Sequence, residues 1–562
     1  MLVRPIAYVP LVFAALTLAA CAAPQPAAQS GQSGTPQVKQ GGVLTLKMGL
    51  DPYDWDVTFN GQSTPNQYGV RLAYSTLLNY KVGEGSTYTS TELEPGLTER
   101  WEVGPDAKTF TFHLRKGAKF APSTSSGNVG GDSGNIKGLE NGREITSADV
   151  KWSYEYSARA GQFKDVKGLN KSPIDFIYEG LDGIDTPDPS TAVVRFKDGF
   201  VPFIYYTATQ VNPIMAHEIY DQNGNLKDAL VGSGPFQLDT QASQKGSRWS
   251  FKKNPTYFRE GRPYLDEVRF LVLADDATAR SAFQTRQLDQ DYVLTPREAD
   301  EVRKANPNAV VYEYQQSGFL ELANSAKPPL GDPRIRKAMS LAIDRDAFIQ
   351  SLFGGRGSWS LGFVNTWIDL FTEEEVKSFV KYDPAQAAQL VKDAGFPNGF
   401  EVDANYVTDN GEASKQINEL LQAQLKKAGI NLNLKAMSFS EDSMRRRARD
   451  FQFTTIAQEY PRAEIDAWLF PAAYKGGGNN YNQIDDPKAN DLLLAQRRET
   501  DMGKRRELLR QAIRYLNENA LAFPTARRSY FMFWQPNIKA YYPHADGGNL
   551  PFQGLDATWI DK

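Results

Sequence analysis

Ile417-Asn418-Glu419-Leu420-Leu421-Gln422-Ala423-Gln424-Leu425-Lys426-Lys427-Ala428-Gly429-Ile430-Asn431-Leu432-Asn433-Leu434 carries two periods in succession. Ile417, Leu420, Leu421, Leu425 and Ala428 recur at helical spacing, one apolar stripe on a helix. Gly429 closes it, and Ile430 to Leu434 then reads as a strand. Helix, glycine, strand is the connection of an α/β fold. Working outward, Asp383-Pro384 opens another helix, with Ala387, Leu390, Val391 and Ala394 on one stripe and Gly395 as its stop. Asp332-Pro333 opens a third through Ile335, Ala338, Met339, Ala342 and Ile343. Toward the C-terminus a long helix is expected over Lys504 to Asn519, then aromatic-rich strand from Phe523 to Trp534.

The first half is strand-rich. Val43 to Met48 alternates and reads as a first strand. Trp101-Glu102-Val103, the turn Gly104-Pro105-Asp106, and Thr109 to Leu114 read as a hairpin with Phe110, Phe112 and Leu114 on one face. Phe120 to Gly142, rich in Gly, Ser and Asn, is expected to be a long surface loop. Thr146-Ser147-Ala148-Asp149 has capping-box form and should start a helix through Trp152 and Tyr156. No internal repeat is visible.

A chain of 562 residues is too long for one core, so two or three domains are expected. Its 41% hydrophobic and 23% charged residues are ordinary for a soluble body. The formal charge of -4 is mildly acidic and argues against nucleic acid as partner. The one cysteine, Cys21, ends an N-terminal run that begins with Arg4 and is apolar from Ile6 to Ala20. That run suits a signal peptide better than a membrane span. Leu18-Ala19-Ala20-Cys21 resembles the bacterial lipobox, which implies cleavage after residue 20 and acylation of Cys21; several acyl chains on one residue anchor stably. The rival readings are an ordinary secretory signal with an incidental cysteine, or a buried thiol. Residues 22–40 are almost wholly Ala, Pro, Gln, Ser, Gly and Thr, the composition of a disordered tether. With one cysteine there is no internal disulfide.

Catalytic chemistry is poorly supplied. His113, His217 and His544 lie in no metal-spaced or triad-like motif. Neither a phosphate-cradling glycine loop followed by Lys-Ser or Lys-Thr nor a Gly-x-Ser-x-Gly elbow occurs. A carboxylate pair of glycosidase type is compatible with 67 acidic residues, but nothing singles one out. A secreted lipoprotein hydrolase, and a sensor or adhesion lipoprotein, stand as the rival classes.

A set of blocks runs in order along the chain: Gly41-Gly42-Val43-Leu44, Tyr74 to Tyr80, Pro95-Gly96-Leu97, Trp101-Glu102-Val103 and Phe110 to Gly117 with Phe120. Thr146 to Ser153, Val231 to Phe236, Asn254 to Phe258, and Gly261 to Asp266 follow. Asp332 to Ala338, Ala342 to Arg345, Asp393 to Phe400 and Gln422 to Ile430 complete the set. Together they resemble the peptide/nickel (oligopeptide/dipeptide-binding) family of extracellular solute-binding proteins, the receptors of ABC importers. The resemblance implies an α/β periplasmic-binding-protein-like fold, two lobes with a hinge and an extra domain inserted in the first lobe. On that analogy residues 1–20 are signal peptide and 21–40 lipidated Cys21 and tether. Lobe I is 41–72, 208–312 and 525–562; the inserted domain is 73–207; lobe II is 313–524. The hinge is crossed near Tyr312 and near Phe523. Arg334, Arg336, Asp344 and Arg345 are expected to form ion pairs on one helix.

In relatives that bind peptides, a Gly-Trp-x-x-Asp motif of the second lobe carries a stacking aromatic and an aspartate for the peptide amine. The matching stretch is Gln458 to Asp466. Tyr460 takes the aromatic place, but the aspartate position falls on Ala463. Glu459, Glu464 or Asp466 could supply a shifted carboxylate, and Arg462 points to an acidic or hydroxyl-rich ligand. Trp367 is a candidate stacking wall and Asn324 a candidate cleft residue. Gln62, Ser63 and Thr64 occupy the loop where relatives place backbone and hydroxyl contacts. The expected partners are a small solute or oligopeptide, an ABC permease in the cytoplasmic membrane, and the membrane itself through the lipid; oligosaccharide is the alternative solute. The expectation is an extracytoplasmic monomer that is no enzyme and takes no cofactor, metal or nucleic acid.

Overall fold

Two long strands, Val310–Ala323 and Phe523–Trp534, pair antiparallel from Val310 opposite Trp534 to Glu321 opposite Phe523. The computed structural model describes residues 37–562 apart from 53, 57, 59–63, 124–134, 168, 170–173, 294, 364–369, 409–411, 458–462 and 548–553, and apart from the side chains of 64–67, 315–319, 412, 413 and 457. The register of the long pair slips on either side of Gly318. The pair lies inside a seven-stranded sheet. Its order is Gln290–Val293, Phe523–Trp534, Val310–Ala323, Phe453–Ala457, Phe400–Val407 and Ile430–Met437, with Gly357–Trp359 also on Phe523–Trp534.

Because strand side chains alternate between faces, these two strands feed several cores. Tyr314, Tyr530, Met532 and Trp534 join a core built mainly from residues 44–270. Phe531 and Phe533 point the other way, into a small cluster with Ala279, Phe283 and Val302. Farther along, Leu320, Leu322, Phe523 and Ala526 belong to the core of the second half.

The first core holds two four-stranded sheets. In one, Val43–Met48 runs parallel to Glu267–Val272, followed by Arg248–Lys253 and Phe236–Leu238. The other contains the expected hairpin: Thr98–Val103 pairs with Thr109–Leu114, and Phe110, Phe112 and Leu114 are buried. Helix Ser147–Ala158 follows, its Asp149 carboxylate accepting the Thr146 N–H at 2.8 Å, with Trp152 stacked on Tyr156 at 5.2 Å.

In the second core, helix Glu412–Lys426 buries Ile417, Leu421 and Leu425 and leads into Ile430–Met437, which runs parallel to Phe400–Val407. Gly399 and Gly429 both have positive φ, and a Cβ on Gly399 would lie 2.4 Å from the Gly429 carbonyl oxygen. Asp332 and Asp383 cap their helices by accepting the N–H of Arg334 and Gln386, each at 2.8 Å.

One expectation is refined and one corrected. Among its described residues the 120–142 segment has no α-helix or strand and exposes Asn135, Lys137 and Glu140, but it is anchored rather than loose: Phe120, Ile136 and Leu139 are buried, and Ser123 N–H donates to the Leu139 carbonyl at 2.8 Å. Two apolar residues without a period were enough to pin it down. Nor do Arg334, Arg336, Asp344 and Arg345 form an ion-paired face of one helix. Helix Pro333–Ala342 stops first, and Asp344 caps the next one. Among the described residues, of these four Arg334 alone forms an ion pair with a carboxylate, Asp332 at 2.6 Å. Arg336 and the wholly buried Arg345 donate to backbone carbonyls. Among the described residues no helix is long and apolar enough to cross a membrane.

Candidate functional site

Asp466 is a candidate ligand residue among the described residues, and it is wholly buried. Pro202 begins the short helix Phe203–Tyr206, which aims the Tyr206 hydroxyl at the Asp466 carboxylate, 2.9 Å away. Helix Pro487–Arg498, capped by Asp486, brings Gln496 and Arg497 to the same carboxylate. Arg497 donates through Nε at 3.0 Å and Nη2 at 2.8 Å. With a phenol, an amide and a forked guanidinium already bound, this carboxylate has no lone pair to offer a solute ammonium. Neighbouring Glu464 is likewise consumed, accepting Arg505 at 2.6 and 3.1 Å. Ala463, at the expected aspartate position, is buried.

The charge pairs lie within 464–505, and residues 179–206 pack against them to form a seam. Arg497 also donates to Glu179 at 2.9 Å and lies over the Phe200 ring. Val201 N–H donates to the Arg497 carbonyl at 2.7 Å, and Arg505 lies over Tyr205. Tyr206, Gln496, Arg497, Arg505 and Glu179 were not picked out by sequence reasoning. No local spacing links positions so far apart, so no signal was available.

Asn324 is corrected from cleft residue to structural residue. It is wholly buried, its amide NH2 donating to the carbonyls of Arg449 at 3.1 Å and Phe451 at 3.0 Å while its oxygen accepts from Ala326 N–H and Gln483. Thr64 is the first residue of helix Thr64–Ala73 rather than part of the preceding loop. Cys21, Gln62, Ser63, Trp367, Glu459, Tyr460 and Arg462 lie outside the described residues.

His544 is structural. Its Nε2–H donates to the Ser90 carbonyl at 2.7 Å, its Nδ1 accepts the Asp546 N–H, and burial pushes its pKa down to about 4. His217 meets Asp221 at 2.6 Å and His113 meets Glu102 at 3.4 Å, both pairs near the surface. Among the described residues no group of three His, Cys, Asp or Glu is placed to hold a metal ion.

The profile of the family described as bacterial extracellular solute-binding proteins, family 5 Middle, matches residues 92–482. The chain belongs to this family. A family 5 solute-binding protein is a substrate receptor of an ABC importer and performs no catalysis. The dipeptide-binding protein of Escherichia coli is 26% identical over 511 residues, 86% of this chain and 88% of that one. Two solved structures share the periplasmic-binding-protein fold, each covering 93% of this family 5 chain and 99% of its own. The binding protein DppA of Helicobacter pylori, in complex with a peptide, has a TM-score of 0.76 at 22% identity. AgaA of A. tumefaciens, in complex with agropinic acid, has a TM-score of 0.74 at 24% identity.

Proposed function

We propose that the chain is a lipid-anchored receptor that captures a peptide or peptide-like solute between two lobes and hands it to an ABC permease. The observation that carries this reading is the pair Val310–Ala323 and Phe523–Trp534, two strands whose ends are buried in different cores. We take lobe I as 41–72, 208–312 and 525–562, the inserted domain as 73–207 and lobe II as 313–524, with crossings near Tyr312 and near Phe523. Core membership supports crossings between Tyr314 and Leu320 and between Ala526 and Tyr530, and the lobe bounds move by those few residues. Closure is favoured by solute because only the closed state offers it contacts from both lobes.

Peptide-binding relatives support the peptide class. A second reading, a non-peptide solute such as an opine, is favoured by the seam: Ala463 is buried and the carboxylates of Glu464 and Asp466 are already taken. Tyr460, Glu459, Arg462, Trp367, Gln62 and Ser63 remain proposed solute contacts, and Cys21 the proposed lipid site.

Thermal melting of the mature chain against pools of peptides, opines and oligosaccharides tests the receptor reading. A true solute raises the melting temperature, and small-angle scattering should then record compaction. No rise with any pool would sink it. Mass spectrometry of membrane-extracted protein should find acyl chains on Cys21, and Cys21→Ala should release the protein from the membrane.

A further inference from the structure

Where the crossing strands leave the first core, a group of hydrogen-bond donors faces no acceptor. The rings of Tyr88 and Tyr314 lie 4.6 Å apart, and Tyr314 stacks on Tyr530 at 5.9 Å. Tyr541 packs on Trp534 at 3.7 Å, and its backbone carbonyl accepts the Tyr312 hydroxyl at 3.0 Å. Arg71, at the end of helix Thr64–Ala73, donates to the Asp546 carbonyl at 2.8 Å, and Ala545 N–H donates to the Tyr88 carbonyl. Chain segments from four places thus converge.

The hydroxyls of Tyr88, Tyr314 and Tyr541 and the Trp534 Nε1–H are buried and have no hydrogen-bond partner among the described residues. Leaving one such group unpaired is costly, and leaving four together is more than packing alone explains. Burial pushes the Tyr88 and Tyr541 phenols well above their ordinary pKa; neighbouring phenols add to the rise and Arg71 opposes it. All three phenols therefore stay protonated donors at neutral pH. Indole N–H and guanidinium are donors only. What the group lacks is an acceptor with several lone pairs, and beside Arg71 a negative one is preferred.

We infer that the unpaired donors of Tyr88, Tyr314, Tyr541 and Trp534, with Arg71 beside them, receive the carboxylate end of the solute. The inference rests on the receptor reading and deepens it. A solute held by its anionic end also fits a seam whose own carboxylates are already occupied.

The test uses the mature chain and the variant Tyr88→Phe/Tyr314→Phe/Tyr541→Phe, with Tyr541→Phe alone as the fallback should the triple variant misfold. Removing hydroxyls that bond to nothing should leave the melting temperature of the empty protein unchanged or raised. Mass spectrometry of solute co-purifying with the wild type should find a carboxylate, and the variant should bind that solute about tenfold or more weakly. A neutral solute, or equal binding by the variant, overturns the inference while leaving the receptor intact. A wild type that retains and responds to no solute defeats the receptor reading instead. In that case crystals soaked in acetate still decide the inference: acetate oxygens against the phenols support it, and water alone there overturns it.

Discussion

Along Val310–Ala323 and Phe523–Trp534 the halves of the molecule are joined by backbone hydrogen bonds, whereas residues 179–206 meet a buried charge cluster held within 464–505, through the Tyr206 hydroxyl on Asp466, Glu179 on Arg497, and the Val201 N–H on the Arg497 carbonyl. The strand pair is held by backbone bonds along its length with its side chains buried in separate cores, and its register slips on either side of Gly318. The seam depends wholly on matched partners, because a buried charge that loses its counter-charge keeps its desolvation cost.

The largest effect that separates them is expected at Asp466. Asp466→Ala leaves the Arg497 guanidinium buried without its main carboxylate and should cost about 3–5 kcal/mol in urea unfolding. A loss below about 1 kcal/mol would mean that Asp466 and Arg497 behave as an exposed pair rather than a buried one.

Acid should act on the first core through His544. His544 is held neutral by burial, its pKa lowered to about 4 from an ordinary 6.5. Below about pH 6.5 the unfolded chain takes up a proton that the folded one refuses. The stability this group contributes is therefore full above pH 6.5 and lost as pH falls toward 4, by roughly 3 kcal/mol. His544→Gln removes the titration, so its deficit against wild type should shrink between pH 7 and pH 4.5; a constant deficit would refute the assignment. Asp289 and Asp291 work in the opposite sense. Burial raises both to about 6, so their contribution is largest below pH 4 and is lost as pH rises through 6.

Much of this frame could be read from residues, and the reason is local. The stripe through Ile417, Leu421 and Leu425, the stop at Gly429, the proline starts after Asp332 and Asp383, and the face Phe110, Phe112, Leu114 are all set by neighbours in sequence. The strand from Phe523 to Trp534 was visible for the same reason. Residues whose role is set by distant partners were not. Asn324 reads as a polar residue after a strand, yet its amide ties Arg449 and Phe451 in place. Arg345 reads as half of an ion pair, yet it is buried among carbonyls. Asp466 could be named as a candidate, but that Arg497 and Tyr206 already occupy it is a fact of tertiary packing alone. Ile136 and Leu139 were lost in polar surroundings because two apolar residues establish no period.

A smaller effect is expected at a turn that serves only one core. Gly399 has a φ of +78° and faces the Gly429 carbonyl oxygen, so Gly399→Ala adds both strain and a clash. It should cost about 2 kcal/mol, read as a lower melting temperature with solute affinity unchanged. A change in affinity would mean that this edge of the second half communicates with the cleft, which the separation of the cores argues against.

The smallest stability effect gives the sharpest test of the seam as a closure contact. Tyr206→Phe keeps the ring and removes one hydrogen bond to Asp466, which retains Arg497 and Gln496. The expected cost is about 1 kcal/mol. If residues 199–206 separate from 464–505 when the lobes open, that loss falls on the closed state alone. The solute-free protein should then be more expanded in small-angle scattering and release solute faster, while unfolding almost as wild type does. If instead the contact persists in every state, the same substitution lowers the unfolding free energy by that amount and moves neither the scattering nor the release rate. The two outcomes differ in kind, so a single conservative change separates a latch from a permanent joint.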